Sequence, residues 1–460
     1  VPSRNQTPAP YSMIRSFAIL LAFAAWLALP AAPQARGLPL IRDAEIERAI
    51  RAYSTPIFAA IGVSGSDVRV HIVNNRKLNA FVAGGRHIFV NTGLLMEAED
   101  AGMVIGVLAH ETGHIVGQHL TQLRGALREA QIKQIITFIL AAGAGVATGD
   151  GQAAGAVASL GSSIVSGTLY RFTRSMENEA DAFALTTLDR MGVSARGLEK
   201  LMERLLSQEA LQGAFQDPYL RTHPLTRTRL DRIRRHVRRS PHTGKPTPAR
   251  FRKMHRRVRA KLQGFLSPPA TVIARYGDRS GTPEARYALA VAYHRAGKID
   301  KALSTIDRLI REAPRDAFFH ELKGQILLER GLAHRAARAY ATSVGLAPQE
   351  PLIRSAYAHA LLETGERARV PAALRHLVEA TSGDNTFATG WRLRAVAHGR
   401  LKQFGESAAA LAEYYLLIGD RGEVRRQVKR AERRLKPGSP SWRRVQDIKG
   451  AELGDGRRRR

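Results

Sequence analysis

The chain is predicted to be α+β: a mostly helical domain holding a small antiparallel sheet, followed by an all-α solenoid of tetratricopeptide repeats. Three observations predict it. Two short alternating segments, Val68–Val73 and His87–Val90, sit among stretches of helical period. An amphipathic pattern runs from Ala98 towards Leu123. Further on, Gly297 and Gly331, Ala302 and Ala336, and the pairs Ala313-Pro314 and Ala347-Pro348 are each 34 residues apart, the tetratricopeptide period. A chain of 460 residues has room for two or three domains, and 44% hydrophobic content suits packed cores.

Taken in order, residues 13–35 read as a secretory signal peptide: Met13, a basic Arg15, an apolar run from Phe17 to Leu29, then small residues and a proline. The run is too short for a stable membrane span. Met13 is expected to be the true start, with cleavage after Ala32 or Ala35. Asp43–Ala60 reads as an amphipathic helix, with Pro56 marking a kink or break. The two strands follow, with Asn79-Ala80-Phe81-Val82 between them and Gly84-Gly85 as the turn. Glu97, Glu99 and Asp100 stand at the positive end of the next helix.

Residues 135–148 and 152–166 are Ala/Gly-rich, apolar and each shorter than a span, which favours buried helices over a membrane-dipping hairpin. A helix over Arg174–Met191 should stop near Gly192. These elements make up an expected domain of residues 40–239. Pro241, Gly244, Pro246 and Pro248 then mark a basic linker, assigned to 240–280. In the repeat region, assigned to 281–450, Gly365 keeps the register, a looser unit covers Trp391–Leu417, and Val424–Leu435 is expected to be a polar capping helix. Such solenoids leave a groove that takes peptides or partner proteins.

Cysteine is absent, which excludes disulfides, thiolate metal sites and cysteine nucleophiles. The formal net charge is +31, and residues 227–261 hold fifteen Lys or Arg against one acid, Asp231. A strip of that kind is drawn to anionic membrane surface. Its one aromatic residue, Phe251, is too little for a nucleic-acid stacking platform, and an exported protein does not meet the chromosome, so no nucleic-acid partner is expected.

The chemistry lies in His110-Glu111-Thr112-Gly113-His114, an HExxH pattern. Residues four apart stand one above the other on a helix, so both imidazoles can bind one zinc ion. Glu111 projects beside them as the general base that takes a proton from metal-activated water. Zinc of this kind needs a third protein ligand and an open position. The run Glu177-Asn178-Glu179-Ala180-Asp181 offers two carboxylates, and spacing does not choose between Glu177 and Glu179. Asp181 shares a face with Glu177 and is placed to accept the free ring N–H of a ligand histidine. His119, five residues past His114, falls off the ligand-facing stripe and reads as a bystander.

HExxH, then Arg174-xx-Glu177-xx-Ala180-Asp181, then Thr222-His223-Pro224 with Arg229, resembles the zinc metallopeptidase family of HtpX and the CAAX prenyl protease. The signal segment and repeat tail look like its periplasmic, BepA-like branch. The resemblance implies a zincin-type fold over about residues 40–235, one Zn2+ per chain, and Glu177 as the third ligand. It also implies that His223 sits near the metal, in the open position of a resting state and with a catalytic part to play, and that Arg229 helps to fix that loop. Asn79, Ala80 and Phe81 look like the family's edge strand, on which an extended substrate lies by strand addition. The two apolar stretches are too short and Gly-rich to be the membrane helices of HtpX. The expected function is a periplasmic zinc endopeptidase acting on misfolded or stalled envelope proteins, with outer-membrane assembly machinery as a partner through the repeats. The alternative is an assembly chaperone with a gated or idle protease site.

Overall fold

The computed structural model of the protein describes residues 38–63, 68–129, 173–212, 223, 226–277 and 281–457. The expected signal segment 13–35 and the apolar stretches 135–148 and 152–166 lie outside the described residues. No helix among the described residues is long and apolar enough to cross a membrane.

Strand β1 (Leu40–Ile41) leads into α1 (Ala44–Ala60), capped by Asp43, whose side chain accepts from the Ile46 N–H at 2.9 Å. Ile46, Ile50, Tyr53 and Ile57 recur at helical spacing and are buried. Pro56 does not end the helix. The turn before it is braced by the hydroxyls of Ser54 and Thr55, which donate to the carbonyls of Ile50 and Arg51 at 3.0 and 2.8 Å.

Strands β2 (Arg69–Val73), β3 (Ala80–Ala83) and β4 (His87–Asn91) complete a four-stranded sheet in the order β1-β2-β4-β3. The sheet is mixed, which corrects the all-antiparallel expectation: β2 and β4 run parallel at its centre, flanked by antiparallel β1 and β3. Alternation in a sequence reports which face a residue takes but not which strand it pairs with. The β2–β3 connection crosses the end of β4, held by the Thr92 hydroxyl and the Gly93 N–H donating to the Asn75 carbonyl at 2.9 and 2.8 Å. The turn at Gly84-Gly85 then returns β4 between β2 and β3, leaving β3 at the edge.

After α2 (Thr92–Glu97) comes α3 (Ala101–Val116), the central helix, with residues 101–113 all buried and its N-terminus capped by Asp100 accepting from the Gly102 N–H at 2.8 Å. The sequence pattern predicts one helix as far as Leu123. Instead α3 stops at Gly117-Gln118, where Gln118 takes a left-handed φ of 53°, and a separate α4 (119–129) follows. Helices α5 (173–190) and α6 (Arg196–Gln212) complete the shell, α6 packing on α3. Helix α7 (Arg227–Arg239) buries Arg229, Leu230, Ile233 and Val237 and begins at a Thr226 cap.

The stretch expected as a basic linker is helical: α8 (Ala249–Leu266) and α9 (Pro269–Tyr276). Phe251, His255, Val258 and Leu262 fall on one face of α8 and are buried. Phe251, Val258 and Leu262 join the same core as α1, α3 and α6. Seven basic residues between 250 and 261 mask that stripe in a composition-based reading.

The solenoid stacks helix pairs α10 (Pro283–Arg295) and α11 (Ile299–Glu312), α12 (Ala317–Glu329) and α13 (Ala333–Leu346), then α14 (Pro351–Glu363) and α15 (Val370–Gly383). Gly297, Gly331 and Gly365 turn each pair at φ of 72–75°, a region glycine enters without strain. The looser unit is α16 (Ala388–Arg400) with α17 (Phe404–Ile418), where Lys402 takes the left-handed turn at φ 61°. Helix α18 (Arg421–Glu432) is not the terminal cap that Val424–Leu435 predicted. Its buried Val424, Val428 and Ala431 pack with Val445 and Ile448 of a further helix, α19 (Pro440–Arg457).

Candidate metal centre

Helix α3 presents His110 and His114 one turn apart, with their Nε2 atoms 3.2 Å from each other. Glu177, from α5, places one carboxylate oxygen 3.4 Å from His110 Nε2 and the other 3.3 Å from His114 Nε2. The two helices meet backbone to backbone at Gly113 and Ala180, where a Cβ on Gly113 would lie 2.9 Å from the Ala180 Cα. Glycine at that point is what lets α5 carry Glu177 so close. Of the two carboxylates that spacing left open, Glu177 is buried in this cluster, while Glu179 is largely exposed and faces elsewhere.

His223 closes the group. Its Nδ1 lies 3.4 Å from His110 Nε2 and 3.1 Å from Glu177 Oε1, and its Nε2 lies 3.4 Å from Glu111 Oε1. Donors held at about 2.0–2.2 Å around a tetrahedral zinc stand roughly 3.3 Å apart. His110 lies 3.2–3.4 Å from His114, Glu177 and His223, and Glu177 lies 3.1–3.3 Å from His223 and His114, close to that figure, while one ligand atom from each of the four residues places the set within 4.8 Å.

The chemistry of the donors fits too. Glu111, Glu177 and Asp181 are buried against one guanidinium, Arg229, so the formal charges leave an excess of two negative charges that a divalent cation neutralises. Among the described residues neither carboxylate oxygen of fully buried Glu111 accepts a hydrogen bond, His223 Nε2 standing 3.4 Å from Oε1 without bonding it. A buried carboxylate without donors is costly, and it is tolerated where its partner arrives from outside the chain.

Around this cluster, Asp181 Oδ1 lies 3.0 Å from His110 Nδ1, although the ring is turned away from a straight hydrogen bond. Arg229 grips Asp181 through Nε and Nη2 at 2.7 and 2.9 Å and reaches Glu177 through Nη1 at 2.8 Å. The loop around His223 lies outside the described residues; among the described ones, Arg229 bonds the two carboxylates, one of which His223 touches. Thr226 sets it there by capping α7, accepting from the Arg229 N–H at 3.3 Å.

These charges shape proton affinity. Burial opposes a charge on His110, yet Asp181 and Glu177 outweigh it and raise its pKa to about 10. Burial lowers His114 to about 4, with His110 and His223 adding to the effect against Glu177. Burial pushes the Glu177 carboxyl up, but His223, His110 and His114 together hold it well below its ordinary value. Burial raises Asp181 as well, and Arg229 overrides it, leaving a pKa of about 2. Without metal, a proton on His110 stands in for part of the cation's charge.

The residues expected to bind substrate backbone lie at the sheet edge: Ala80 and Phe81 are in β3, Asn79 just precedes it, and β3 packs against α3. Phe81 stacks on Phe89, Phe89 on His71, and His71 on His87 across the sheet. That ladder was not singled out in the sequence, although its alternation places all four residues on one face. His119 departs from the bystander reading. Because α3 ends at Val116, the chain swings back and sets His119 Nδ1 3.0 Å from His114 Nδ1.

Comparison with known proteins gives the same picture. The description "Peptidase family M48" matches residues 41–237, and "Tetratricopeptide repeat" matches 270–317 and 287–351. The beta-barrel assembly-enhancing protease of Escherichia coli K12 is 25% identical over 417 residues, covering 88% of this chain and 83% of that protein. Its namesake in Yersinia pestis is 24% identical, covering 87% and 82%. The mitochondrial metalloendopeptidase OMA1 of Schizosaccharomyces pombe is 28% identical over 177 residues, 38% of this chain and 49% of that protein.

Proposed function

We propose that this zinc metalloendopeptidase, a Peptidase family M48 domain followed by tetratricopeptide repeats, hydrolyses misfolded or stalled envelope proteins at the cluster of His110, His114 and Glu177, with Glu111 as general base. The observation that carries the assignment of Glu111 is its carboxylate: fully buried, accepting no hydrogen bond among the described residues, and bordering a cluster of three histidines and a glutamate that could hold a metal ion. When bound, zinc acts as a Lewis acid that makes water more acidic and polarises the scissile carbonyl. Glu111 takes the proton of the attacking water and passes it to the leaving amine. Asp181 and Arg229 hold His110 and Glu177 in place.

His223 fills the fourth corner of the donor set, so it must swing away before a substrate carbonyl can enter. From a displaced position on its loop, His223 would steady the developing oxyanion. An extended substrate pairs with the outer edge of β3, next to which no further strand lies among the described residues, through backbone hydrogen bonds, which gives broad specificity. Periplasmic residence rests on the export signal read in residues 13–35 and on the relatives' likeness. Exposed basic residues of the strip from 227 to 261, among them Arg235, Arg238, Arg239, Arg252 and Lys253, provide peripheral contact with anionic membrane, while Arg229, Arg257 and Lys261 are turned inward.

Replacing Glu111 by Gln tests the reading. Cleavage of an unfolded protein such as casein should fall by about 10²–10⁴-fold while the zinc content stays at that of wild type. Cleavage at the wild-type rate would sink the assignment. The closed position of His223 favours a second reading, in which the protein chiefly assists outer-membrane assembly, as the name of the similar beta-barrel assembly-enhancing protease suggests for that protein. Complementation of a deletion strain by the Glu111→Gln protein would favour it, and failure to complement would favour proteolysis.

A further inference from the structure

His114 carries a support of its own that differs from the one behind His110. A histidine that ligates through Nε2 keeps its proton on Nδ1. The Nδ1 of His114 lies 3.0 Å from Nδ1 of His119, which must then accept, so that the proton of His119 sits on Nε2. That Nε2 is 3.3 Å from Glu179 Oε2, and the other oxygen of Glu179 accepts from the Ser175 hydroxyl at 3.0 Å. One direction of donation satisfies every atom in the row. His119 is 3% exposed, whereas the Glu179 side chain is 61% exposed, so the row leads from the metal-facing ring to the surface.

The backbone is shaped for this contact. A Cβ on Gly117 would fall 2.2 Å from His119 Nε2, so only glycine lets the ring fold back over the end of α3. Gln118 bears the left-handed φ of 53° that turns the chain, a conformation rare for a residue with a side chain. Such strain persists where the surrounding contacts over-determine it.

We infer that His119, held by Glu179, is a positioning residue for His114: it fixes the tautomer and ring plane that present Nε2 to the metal. The inference rests on the reading of His110, His114 and Glu177 as the zinc site. It predicts a loss of metal affinity, separate from catalysis, when the row is cut.

The test uses the full chain with zinc, measured by competition against a chromophoric chelator, and with cobalt, read by its visible absorption. Asparagine places an amide oxygen where His119 Nδ1 accepts, so His119→Asn should keep zinc affinity within about threefold, whereas His119→Ala should lose about 10–100-fold and alter the cobalt spectrum. Glu179→Ala changes a surface side chain that the fold does not need, and a smaller loss of about 3–10-fold is expected. Equal losses in His119→Ala and His119→Asn would overturn the inference, because packing alone would then explain them. So would wild-type affinity in His119→Ala, or in Glu179→Ala if His119→Ala does not fold. A wild-type chain that takes up no zinc would instead refute the site itself.

Discussion

Replacing Arg229 by leucine removes a buried cation and keeps much of its volume. The guanidinium is 1% exposed, donates to Asp181 at 2.7 and 2.9 Å, and lies 2.8 Å from Glu177. Three charge-assisted bonds of about 1.5–3 kcal/mol each set only a ceiling, since they are not additive. Breaking a buried ion pair costs about 3–5 kcal/mol, because the charge left behind is stranded. In metal-free protein Asp181 and Glu177 both lose the guanidinium and are left sharing the protonated His110. With zinc bound, Glu177 retains a cation and only Asp181 is affected. The expected destabilisation is therefore about 5 kcal/mol in the presence of a chelator and about 3 kcal/mol with saturating zinc, the two ends of that range, read as the fall in the urea midpoint at unchanged slope. A pH dependence follows as well. Burial raises the Asp181 pKa, while Arg229 and then His110 hold it at about 2, so loss of Arg229 moves it upward. A carboxyl whose folded pKa rises takes up a proton sooner as the solution is acidified, and the penalty should shrink as pH falls through the new value. A loss under about 1 kcal/mol, or the same loss with and without zinc, would refute the reasoning.

Gly113→Ala should separate α3 from α5, because its Cβ would stand 2.9 Å from the Ala180 Cα. The cost should be about 1–3 kcal/mol, accompanied by weaker zinc binding in equilibrium dialysis; unchanged affinity would mean that Glu177 adjusts freely. Glu321 lies beside Lys261 with Asp43 and Glu45 nearby, and burial raises its pKa to about 7 although Lys261 opposes the shift. Folded protein thus holds a proton that unfolded protein has lost, and stability falls as pH rises from 4.5 to about 7. Because 15% of the side chain remains exposed, Glu321→Gln should stabilise by about 2 kcal/mol at about pH 8 and by almost nothing at about pH 4, measured as Tm at each pH. A gain of equal size at both values would contradict this. Lys402→Gly should add about 0.5–1 kcal/mol, because Lys402 occupies at φ 61° the turn that glycine fills in three earlier repeats, and a lower Tm would show that its side chain matters more than its backbone.

The readings that followed from period survived translation into structure best. The 34-residue spacing of Gly297 and Gly331 records a real left-handed turn, and the four-residue spacing of His110 and His114 a real helical turn. What period does not encode is where an element ends and what it pairs with. His119 was misread because the stripe argument assumed a helix unbroken past Gly117-Gln118, and Gln118 carries no sign of its left-handed φ. The parallel pairing of β2 with β4 depends on a crossing held by Asn75, Thr92 and Gly93, a contact between segments that look unrelated in sequence. In α8 the signal was present as Phe251, His255, Val258 and Leu262, but seven basic residues concealed it. Glu177 and Glu179 stand two apart, and only the approach of α5 to Gly113 sends one inward.

Recasting the basic linker as α8 changes how the two halves of the protein can act together. A loose strip would let the repeats roam, so that a bound client met the metal site only by chance at the local concentration a tether allows. Helix α8 instead shares one face with the protease core and packs on α10 of the solenoid. Its Arg257 bonds Asp316 and lies 2.6 Å from Glu45, its Lys261 lies 2.7 Å from Asp43, and the Tyr287 hydroxyl donates to Glu45 at 2.7 Å. Arg51 adds a bond to Glu350 at 2.7 Å, and Arg42 one to Asp384. Of these, Lys261 and Glu45 are buried and Arg257 nearly so, and buried charges bind specific partners in a specific geometry, so that losing one member strands the others. The repeats are thereby held in register with α1, and through the core under α1 with the helix that carries His110 and His114. On the proposed function, a client held by the repeats is offered to β3 at a set distance, so reach as well as sequence would decide which unfolded segments are cut.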